Sequence, residues 1–543
     1  MRVHYPARGP RRPSEGSLDQ PQKTTPRDAP WLAALVLAAF AVRALRWLRT
    51  AAMMNDGPQF IRLAQHAAAG EWRPVLDHNF HPLYPACVAL AHLFTADWER
   101  AAAGVSALAG ALAVAALFAL VREGFDRRSA FVAALLLAVN ASAIELADVQ
   151  SDALYLALFV ASAALLLRAY LRETGSSAFA AGLAAGLAYL ARPEGAGTVL
   201  VGAALAGAEL ARRRLSVSGA LRLAAPLALG AALLMVPYVA YRSLHAGGLE
   251  LTGKKSLRSL VGLAPPSHTP IPGESEYEPG GPPDPLLAAH PELVPPPPGV
   301  YPFRNAPLPR GGAKFTGAAL DLVVQSLRAL RPEGALLLAL GLWAARGRPE
   351  RRGRFFAAYT LLYAAVLFAL SANVSYLSRR HALPPAALLL GYAALGVGVL
   401  ETALARLPAL AARPALRLAL PLALVAALGL GKALRPVRED ALPDRRAAEW
   451  IRSEGGLEPG EAVASVKQRV AYYASARFVD LRRPPHPALL LAYLRRGHVR
   501  FIVVDARERA ELLELTRPEP DALELRHQET FGRHEAFVYE LAP

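Results

Sequence analysis

The chain has 543 residues and a formal net charge of +16, and 54% of its residues are hydrophobic. A strongly basic chain can bind nucleic acid, but here the hydrophobic residues form long runs and many of the arginines lie between those runs. Composition therefore predicts a membrane protein without a nucleic-acid partner. The single cysteine, Cys87, excludes an internal disulfide and a metal cluster built on cysteines.

The chain begins with a polar segment, 1–30, that is rich in proline and arginine. We expect a disordered basic tail here, because the segment lacks the apolar core of a cleaved signal peptide. Apolar segments follow throughout 31–436, and roughly 20 apolar residues in a helix cross a bilayer. They predict an α-class transmembrane bundle of about eleven helices, near 31–49, 101–121, 129–147, 153–171, 178–191, 195–210, 218–241, 333–345, 355–371, 382–401 and 415–433.

The loops between these spans indicate the orientation of the bundle. Arginine-rich loops, such as those at 122–128, 212–214 and 346–354, fall on the same side as the basic tail. Because lysine and arginine are enriched in cytoplasmic loops, we expect a multi-pass protein of the plasma (inner) membrane with a cytoplasmic N-terminus. An odd number of spans then places the C-terminus on the extracytoplasmic side.

Two long outer loops are predicted, 50–100 and 243–333, and the middle of the second, 264–309, is rich in proline. Such a segment favours extended conformations, and we consider it as a lid or an acceptor-binding loop. The composition of 437–543 is that of a soluble domain, for which we expect a small extracytoplasmic α/β fold. Its predicted elements are helices near 447–452 and 488–496 and strands near 462–466, 500–505 and 531–541.

The first outer loop carries an acidic residue, Asp56, just after the first span. Apolar residues then recur at helical spacing from Phe60 to Ala67, which predicts an amphipathic helix at the membrane surface. Asp56 has two interpretations. With Pro58 and Gln59 behind it, it can be the N-cap of this helix in a capping box. It can also meet a lipid headgroup at the interface, and the two roles are compatible.

Other polar residues at outer helix ends are candidates for substrate binding. His81 and Tyr84 belong to the sequence His-Pro-Leu-Tyr-Pro, which predicts a rigid turn; the alternative is an interfacial anchor. Asp148 and Asp152 flank the outer end of a predicted span. They are equally compatible with solvated ends of helices.

Charged residues also lie at unusual positions later in the chain. Arg192 and Glu194 interrupt an apolar stretch, which is costly in a membrane unless they face a cavity or pair with each other. Here we expect an ion pair that holds the break. Arg379 and Arg380 lie outside, against the positive-inside trend, and are candidates for a lipid phosphate or for headgroup anchoring. Lys254 is a further phosphate candidate.

In their order and placement, these residues resemble the GT-C membrane glycosyltransferases, in the group that includes protein O-mannosyltransferases and the aminoarabinose transferase of lipid A. The resemblance covers most of residues 31–485. It consists of Asp56 in the first outer loop, the surface helix, the motif from His81, Ser-Asp at 151–152, Arg-Pro-Glu-Gly from Arg192, an arginine-rich turn before Leu383 and Pro384, and the stretch Lys467–Leu481.

The resemblance implies transfer of a sugar from a polyprenyl-phosphate donor to a lipid, glycan or protein acceptor on the outer face, with inversion. It implies that Asp56 is the general base and that Arg379 or Arg380 stabilises the leaving phosphate. Two positions depart from the pattern. Gly57 follows Asp56 where many members carry glutamate, and Phe60 stands where tyrosine is common. The missing second carboxylate leaves a divalent-metal requirement open.

Two other functions are compatible with these residues. A transporter or flippase of a lipid-linked substrate explains the spans, but its charged residues would line a path near the middle of the membrane. An inactive family member is the other alternative, because of the Asp-Gly departure. The notable charges here cluster at outer helix ends, which favours chemistry at the outer interface. We therefore expect Asp56, Arg380 and the turn at 148–152 to converge on one outer cavity.

Overall fold

The structure is a computed structural model that describes residues 28–246, 248–252, 286, 289–290, 293, 314–346, 351–374, 377–484 and 486–542. Nearly all of the predicted tail at 1–30 and most of the proline-rich 264–309 lie outside these residues, as does Lys254.

Helices account for nearly all of the regular structure up to residue 433. Aspartates begin two of them: the Asp97 side chain accepts hydrogen bonds from two backbone amides of α5, and the Asp126 side chain accepts one from α6. In chain order the helices are α1 (Ala29–Leu48), α2 (Gly57–Ala68), α3 (Trp72–Asp77), α4 (Leu83–His92), α5 (Trp98–Gly124), α6 (Arg127–Val139), α7 (Ala141–Ile144), α8 (Asp152–Arg172), α9 (Gly175–Ala191), α10 (Gly197–Ala211), α11 (Val217–Ala246), α12 (Lys314–Ala345), α13 (Arg351–Val374), α14 (Arg379–Leu388), α15 (Leu390–Leu404), α16 (Pro408–Ala411) and α17 (Pro414–Ala433).

The helices form a multi-pass membrane bundle. Within the described residues, six of them are long and apolar enough to span a bilayer: α1, α5, α8, α11, α13 and α17. A seventh span is formed if α14 and α15, which are bent by 67° relative to each other, count as one. Each of the eleven predicted intervals falls on helix, but several, such as α6 and α10, are short. The number of eleven crossings stays a prediction.

Helix α12 is broken at Arg331, whose backbone has φ 68° and ψ 155°. Pro332 explains the break, because a proline disfavours the α conformation of the residue before it. A positive φ is rare for a residue with a side chain, so the surrounding structure must hold this conformation. The helix also begins at Lys314, within the stretch 243–333 that is predicted to be an outer loop.

Arg43 and Arg46 of α1, and Arg49 just after it, donate hydrogen bonds to backbone carbonyl groups near the ends of α6 and α17. Arg43 has no exposed surface, and it donates hydrogen bonds to Ala39 O at 3.0 Å and to Ala138 O at 3.5 Å. Arg46 donates to the carbonyl oxygen of Ala433 at 2.8 Å, and Arg49 donates to that of Leu434 at 2.7 Å. Cations at helix C-termini are favourable, because the last carbonyls lack intrahelical partners. These contacts bring the C-terminal ends of α1 and α17 together.

The soluble part of the chain forms a five-stranded sheet with helices, which confirms the predicted α/β domain. Its strand order is β2-β1-β3-β5-β4, where β1 is parallel to β2 and β3, and β5 is antiparallel to β3 and β4. The elements are α18 (Leu442–Ser453), β1 (Ala462–Ser465), α19 (Gln468–Tyr473), β2 (Arg477–Asp480), α20 (Leu490–Arg496), β3 (Val499–Asp505), α21 (Ala506–Leu515), β4 (Leu523–Phe531) and β5 (His534–Leu541).

This domain packs on the segment 50–100, between α1 and α5, through one apolar cluster. Phe60 and Ile61 of α2 and Tyr84 of α4 are buried in the same cluster as Val470 and Tyr473 of α19. Helix α2 is amphipathic, as the sequence predicts, but its apolar face is covered by protein. The prediction that it lies at the membrane surface through that face is wrong, because the C-terminal domain and α4 supply the apolar partner.

Close packing of α12 on α15 depends on glycine. A β-carbon at Gly396 would overlap the carbonyl oxygen of Leu337, and one at Gly341 would overlap that of Tyr392. A β-carbon at Gly398, on the same helix, would meet nothing within 4 Å. The two helix backbones therefore approach each other closely at Gly396, whereas there is open space for a side chain at Gly398.

We expect Gly396→Ala to lower the stability of the bundle by about 1–3 kcal/mol, because the added methyl group forces α12 and α15 apart. Gly398→Ala is the matched control, and it should be neutral or slightly stabilising, since alanine is the better helix former. Thermal unfolding of both purified variants in the same detergent measures the difference. Equal melting temperatures would contradict this account of the packing.

Candidate active site

Asp56 occupies the N-cap position of α2, but its side chain makes no capping hydrogen bond. The predicted capping box is therefore absent. Its backbone is already helical, with φ −77° and ψ −12°, whereas a capping side chain reaches the next amides from an extended backbone. The carboxylate is exposed and accepts no hydrogen bond or ion pair from the residues that the structure describes. Beside it, the side-chain oxygen of Asn55 is buried without a partner among those residues.

The loop that carries Asp56 packs against the turn at 148–152. The Met54 backbone amide donates a hydrogen bond to Oδ1 of Asp148 at 3.3 Å. Gly57 allows the close approach, because a β-carbon there would lie 2.7 Å from the sulfur of Met53 and 3.3 Å from Cβ of Val149. The position of Asp56 is therefore set against this turn.

Asp148 is 4% exposed, so it is a buried carboxylate and the alternative of a solvated helix end is excluded. It also accepts a hydrogen bond from the Val149 amide at 2.8 Å and forms an ion pair with Arg438, at the start of the C-terminal domain. Buried carboxylates require such partners, because an unpaired charge away from water is costly.

Asp152, at the first position of α8, is equally buried and binds two arginines. Its Oδ1 lies 2.5 Å from Nη1 of Arg192, and its Oδ2 lies 3.8 Å from Nη1 of Arg380. Arg192 also pairs with Glu194 at 3.1 Å, which confirms the expected ion pair at the break in the apolar stretch. Arg380 also donates a hydrogen bond to the side-chain oxygen of Gln150 at 3.2 Å. Both carboxylate oxygens of Asp152 are thus paired with arginines, and a carboxylate held in this way is a poor general base.

A cavity of about 620 Å³ opens beside these residues, between the break in α12, the start of α14 and the end of α17. Its lining is basic and partly apolar, with the cations Arg328, Arg331, Arg379 and Lys432. Two of the four have carboxylate partners: Arg379 pairs with Glu145, and Arg331 lies 3.3 Å from Glu333. The remaining positive charge suits an anion with an apolar tail.

The expected convergence on one cavity is therefore only partly observed. The turn at 148–152 contacts both the loop of Asp56 and the side chain of Arg380. Asp56 is not among the residues that line the basic cavity, which Arg379 does line. Sequence patterns alone do not single out Arg328, Arg331 and Lys432, because the first two fall in the predicted outer loop 243–333 and the third at the end of a predicted span.

His81 and Tyr84 lie between helices. Nδ1 of His81 is 2.6 Å from the carbonyl oxygen of Tyr189, at the end of α9. Tyr84 has no exposed surface, and its hydroxyl donates to Ala102 O at 2.9 Å and contacts Ser106, which in turn donates to Gln150 O at 3.2 Å. Both residues therefore support the turn at 148–152 or the end of α9, and substrate binding by either stays a prediction.

The described residues of the site offer no obvious set of metal ligands. Within the described ranges, no group of three His, Cys, Asp or Glu side chains is placed to hold a metal ion. Gly57 stands where a second carboxylate would follow Asp56. We therefore assign no residue of this site to a metal.

Removing the charge of Asp152 should destabilise the protein strongly. In Asp152→Asn, Arg192 and Arg380 lose a shared carboxylate in a buried setting, and breaking a buried ion pair costs about 3–5 kcal/mol. Thermal unfolding in detergent tests this, with Glu71→Gln as control, because the ion pair of Glu71 with His66 is largely exposed. An unchanged melting temperature for Asp152→Asn would contradict the structural role given to this carboxylate.

Comparison with protein families gives one match within the transmembrane part. Residues 77–241 match the model of the dolichyl-phosphate-mannose-protein mannosyltransferase family. The matched segment contains His81, Asp148, Asp152, Arg192 and Glu194, and it ends before the basic cavity. A sequence comparison with the curated proteins gave no match.

Solved structures are similar over almost the whole chain. ArnT from Cupriavidus metallidurans, crystallised with undecaprenyl phosphate, aligns with a TM-score of 0.57 at 14% identity, covering 94% of this chain and 98% of that chain. The archaeal oligosaccharyltransferase AglB from Archaeoglobus fulgidus, in complex with an inhibitory peptide and a dolichol-phosphate, aligns with a TM-score of 0.51 at 14% identity and covers 94% and 74%. The chain thus has the GT-C fold of these membrane glycosyltransferases and resembles the mannosyltransferase family over residues 77–241.

Proposed function

We propose that the protein is a membrane glycosyltransferase that moves a sugar from a polyprenyl-phosphate donor to an acceptor hydroxyl on the extracytoplasmic face. The observation that carries the proposal is the exposed carboxylate of Asp56, which has no hydrogen-bond or ion-pair partner among the described residues and whose loop packs against the turn at 148–152. A general base needs a free carboxylate at an accessible position. Asp148 and Asp152, two other acids of the site, are buried and bound to arginines.

In the proposed reaction, Asp56 removes the proton of the acceptor hydroxyl as its oxygen attacks the anomeric carbon of the sugar. The new carbon–oxygen bond forms as the bond to the donor phosphate breaks, and the phosphate leaves with the electron pair. A single displacement of this kind inverts the anomeric carbon. Arg379 and the other cations of the basic cavity stabilise the charge that develops on the leaving phosphate.

The donor class is inferred from the cavity and from the structural neighbours. The cavity combines cations with apolar side chains such as Val324, Leu327 and Leu377, which suits a phosphate on a hydrocarbon chain. ArnT was crystallised with undecaprenyl phosphate and AglB with a dolichol-phosphate. We extend this class of carrier lipid to the present protein and leave the acceptor as a lipid, glycan or protein hydroxyl.

The proposed topology follows from the basic loops. With the N-terminus in the cytoplasm of a plasma (inner) membrane protein, Asp56, the turn at 148–152 and the C-terminal domain all lie outside. Membrane lipids surround the bundle, and the basic cavity opens between the break in α12, the start of α14 and the end of α17. Donor and acceptor would meet at this outer interface.

We expect Asp56→Asn to reduce sugar transfer by about 10²- to 10⁴-fold, the usual contribution of a general base. The amide keeps the shape of the side chain but binds a proton far more weakly. Transfer from native polyprenyl-phosphate donors is measured in membranes at equal expression. Asp521→Asn is the control, because Asp521 is exposed on the C-terminal domain and forms no ion pair with the described residues.

If Asp56→Asn and the wild type transfer sugar at the same rate, Asp56 is not the base and the mechanism is wrong. If the wild type instead moves a lipid-linked substrate across the membrane without transferring its sugar, the transporter alternative replaces the proposal. An intact fold with neither activity, across polyprenyl donors of several sugars, would favour an inactive family member.

A second test concerns the basic cavity. Lys432→Gln should raise the KM for the donor about tenfold or more, because a hydrogen bond to a charged group contributes about 1.5–3 kcal/mol. Arg435→Gln is the matched control: this arginine lies three residues further along, is exposed and does not line the cavity. Equal donor KM values for the two variants would show that the donor phosphate does not bind in this cavity.

A further inference from the structure

The segments that follow α1 and α17 lie side by side and pair with each other. The Ala51 amide donates a hydrogen bond to Val437 O at 3.0 Å, and the Val437 amide donates to Arg49 O at 3.1 Å. Thr50 and Val437 form an isolated parallel bridge. The segment that leads from the first span to Asp56 is thus bound, strand to strand, to the segment that leads into the C-terminal domain.

Side chains of the C-terminal domain and its leading segment bind the next backbone groups. Arg445 of α18 donates to Ala51 O at 2.8 Å, and Arg438 donates to Ala52 O. The hydroxyl of Tyr473, at the end of α19, accepts a hydrogen bond from the Met53 amide at 2.9 Å. The backbone of residues 51–53 is therefore held at three successive positions.

Two of these side chains also contact the bundle. Arg438 forms the ion pair with Asp148, and Tyr473 donates a hydrogen bond to Oε1 of Glu99, at the start of α5, at 3.2 Å. Burial, with the nearby charge of Glu99, raises the pKa of the Tyr473 hydroxyl, so the hydroxyl keeps its proton at neutral pH. The same residues thus bind the loop, the bundle and the soluble domain.

We infer that the C-terminal domain positions the catalytic loop, and that Arg438, Arg445 and Tyr473 are positioning residues for the reaction of Asp56. This inference rests on the proposed function. The backbone from Met53 to Asp56 spans only three peptide steps, so a shift at Met53 is passed on to the carboxylate. A misplacement of about 1 Å near a reacting group can cost about 10²-fold in rate.

The variant Tyr473→Phe tests the inference. It keeps the ring, which packs in the apolar cluster and under the guanidinium of Arg445 at 4.8 Å, and removes only the hydroxyl. Tyr472→Phe is the matched control, because the hydroxyl of the neighbouring Tyr472 makes no hydrogen bond with the described residues. For Tyr473→Phe we expect kcat to fall about tenfold or more with donor KM unchanged, and Tyr472→Phe to behave as the wild type.

A second readout does not depend on sugar transfer. Amide hydrogen exchange of peptides that cover residues 51–56 should become faster in Tyr473→Phe and stay unchanged in Tyr472→Phe. Arg445→Gln should likewise lower kcat and speed exchange, whereas Arg445→Lys, which can still donate to Ala51 O, should restore most of both. This pattern separates positioning from a general loss of stability, which would affect all peptides of the domain.

The outcomes distinguish this inference from the proposed function. If Asp56→Asn is inactive while Tyr473→Phe has a normal kcat, Tyr473 does not position the loop, and the proposal that Asp56 is the general base is kept. Unchanged exchange of residues 51–56 in Tyr473→Phe would also overturn the inference, because the hydroxyl then does not hold the loop. If Asp56→Asn transfers sugar normally, the proposed function fails and the contacts of the domain are structural only.

Discussion

Two buried carboxylates in the turn at 148–152 require cationic partners. The arginines that pair with them determine which parts of the chain meet at the site. Arg192 comes from the end of α9, Arg380 from the start of α14 and Arg438 from beyond α17. Three distant parts of the chain are thus fixed to one turn by charge pairing in a poorly solvated place. The loop of Asp56 is fixed to the same turn through its backbone, so two acids that are paired with arginines organise the candidate site.

Much of this arrangement can be predicted from the sequence, because hydrophobic runs and charge asymmetry are local signals. The helical bundle, the α/β domain, the amphipathic pattern of α2 and the Arg192–Glu194 pair all follow from patterns of fewer than about twenty residues. The strands near 462–466, 500–505 and 531–541 are found as β1, β3 and β5. Two strands escape prediction: β2 has only two apolar residues between two charged ones, and β4 is rich in charged residues at the edge of the sheet.

The remaining features depend on contacts between residues far apart in the chain. Nothing near α2 indicates that its apolar face is covered by α19, so a membrane surface was the natural expectation. The capping box at Asp56 fails for a local reason that the residue pattern does not reveal, namely a backbone that is already helical at the cap position. Likewise, the basic cavity draws its cations from α12, α14 and α17, and only folding brings them to one place.

The hydrogen bond between Met53 and Tyr473 joins residues separated by 420 positions. During synthesis the first outer loop emerges long before the residues that hold it, and the N-terminal part of a chain generally folds first. The bundle can therefore insert and assemble around Asp148 and Asp152 while the loop of Asp56 still lacks its final support. The C-terminal domain, which is made last, thus supports a loop that directly follows the first span. A ribosome-bound or prematurely terminated chain would therefore carry Asp56 without holding it in place.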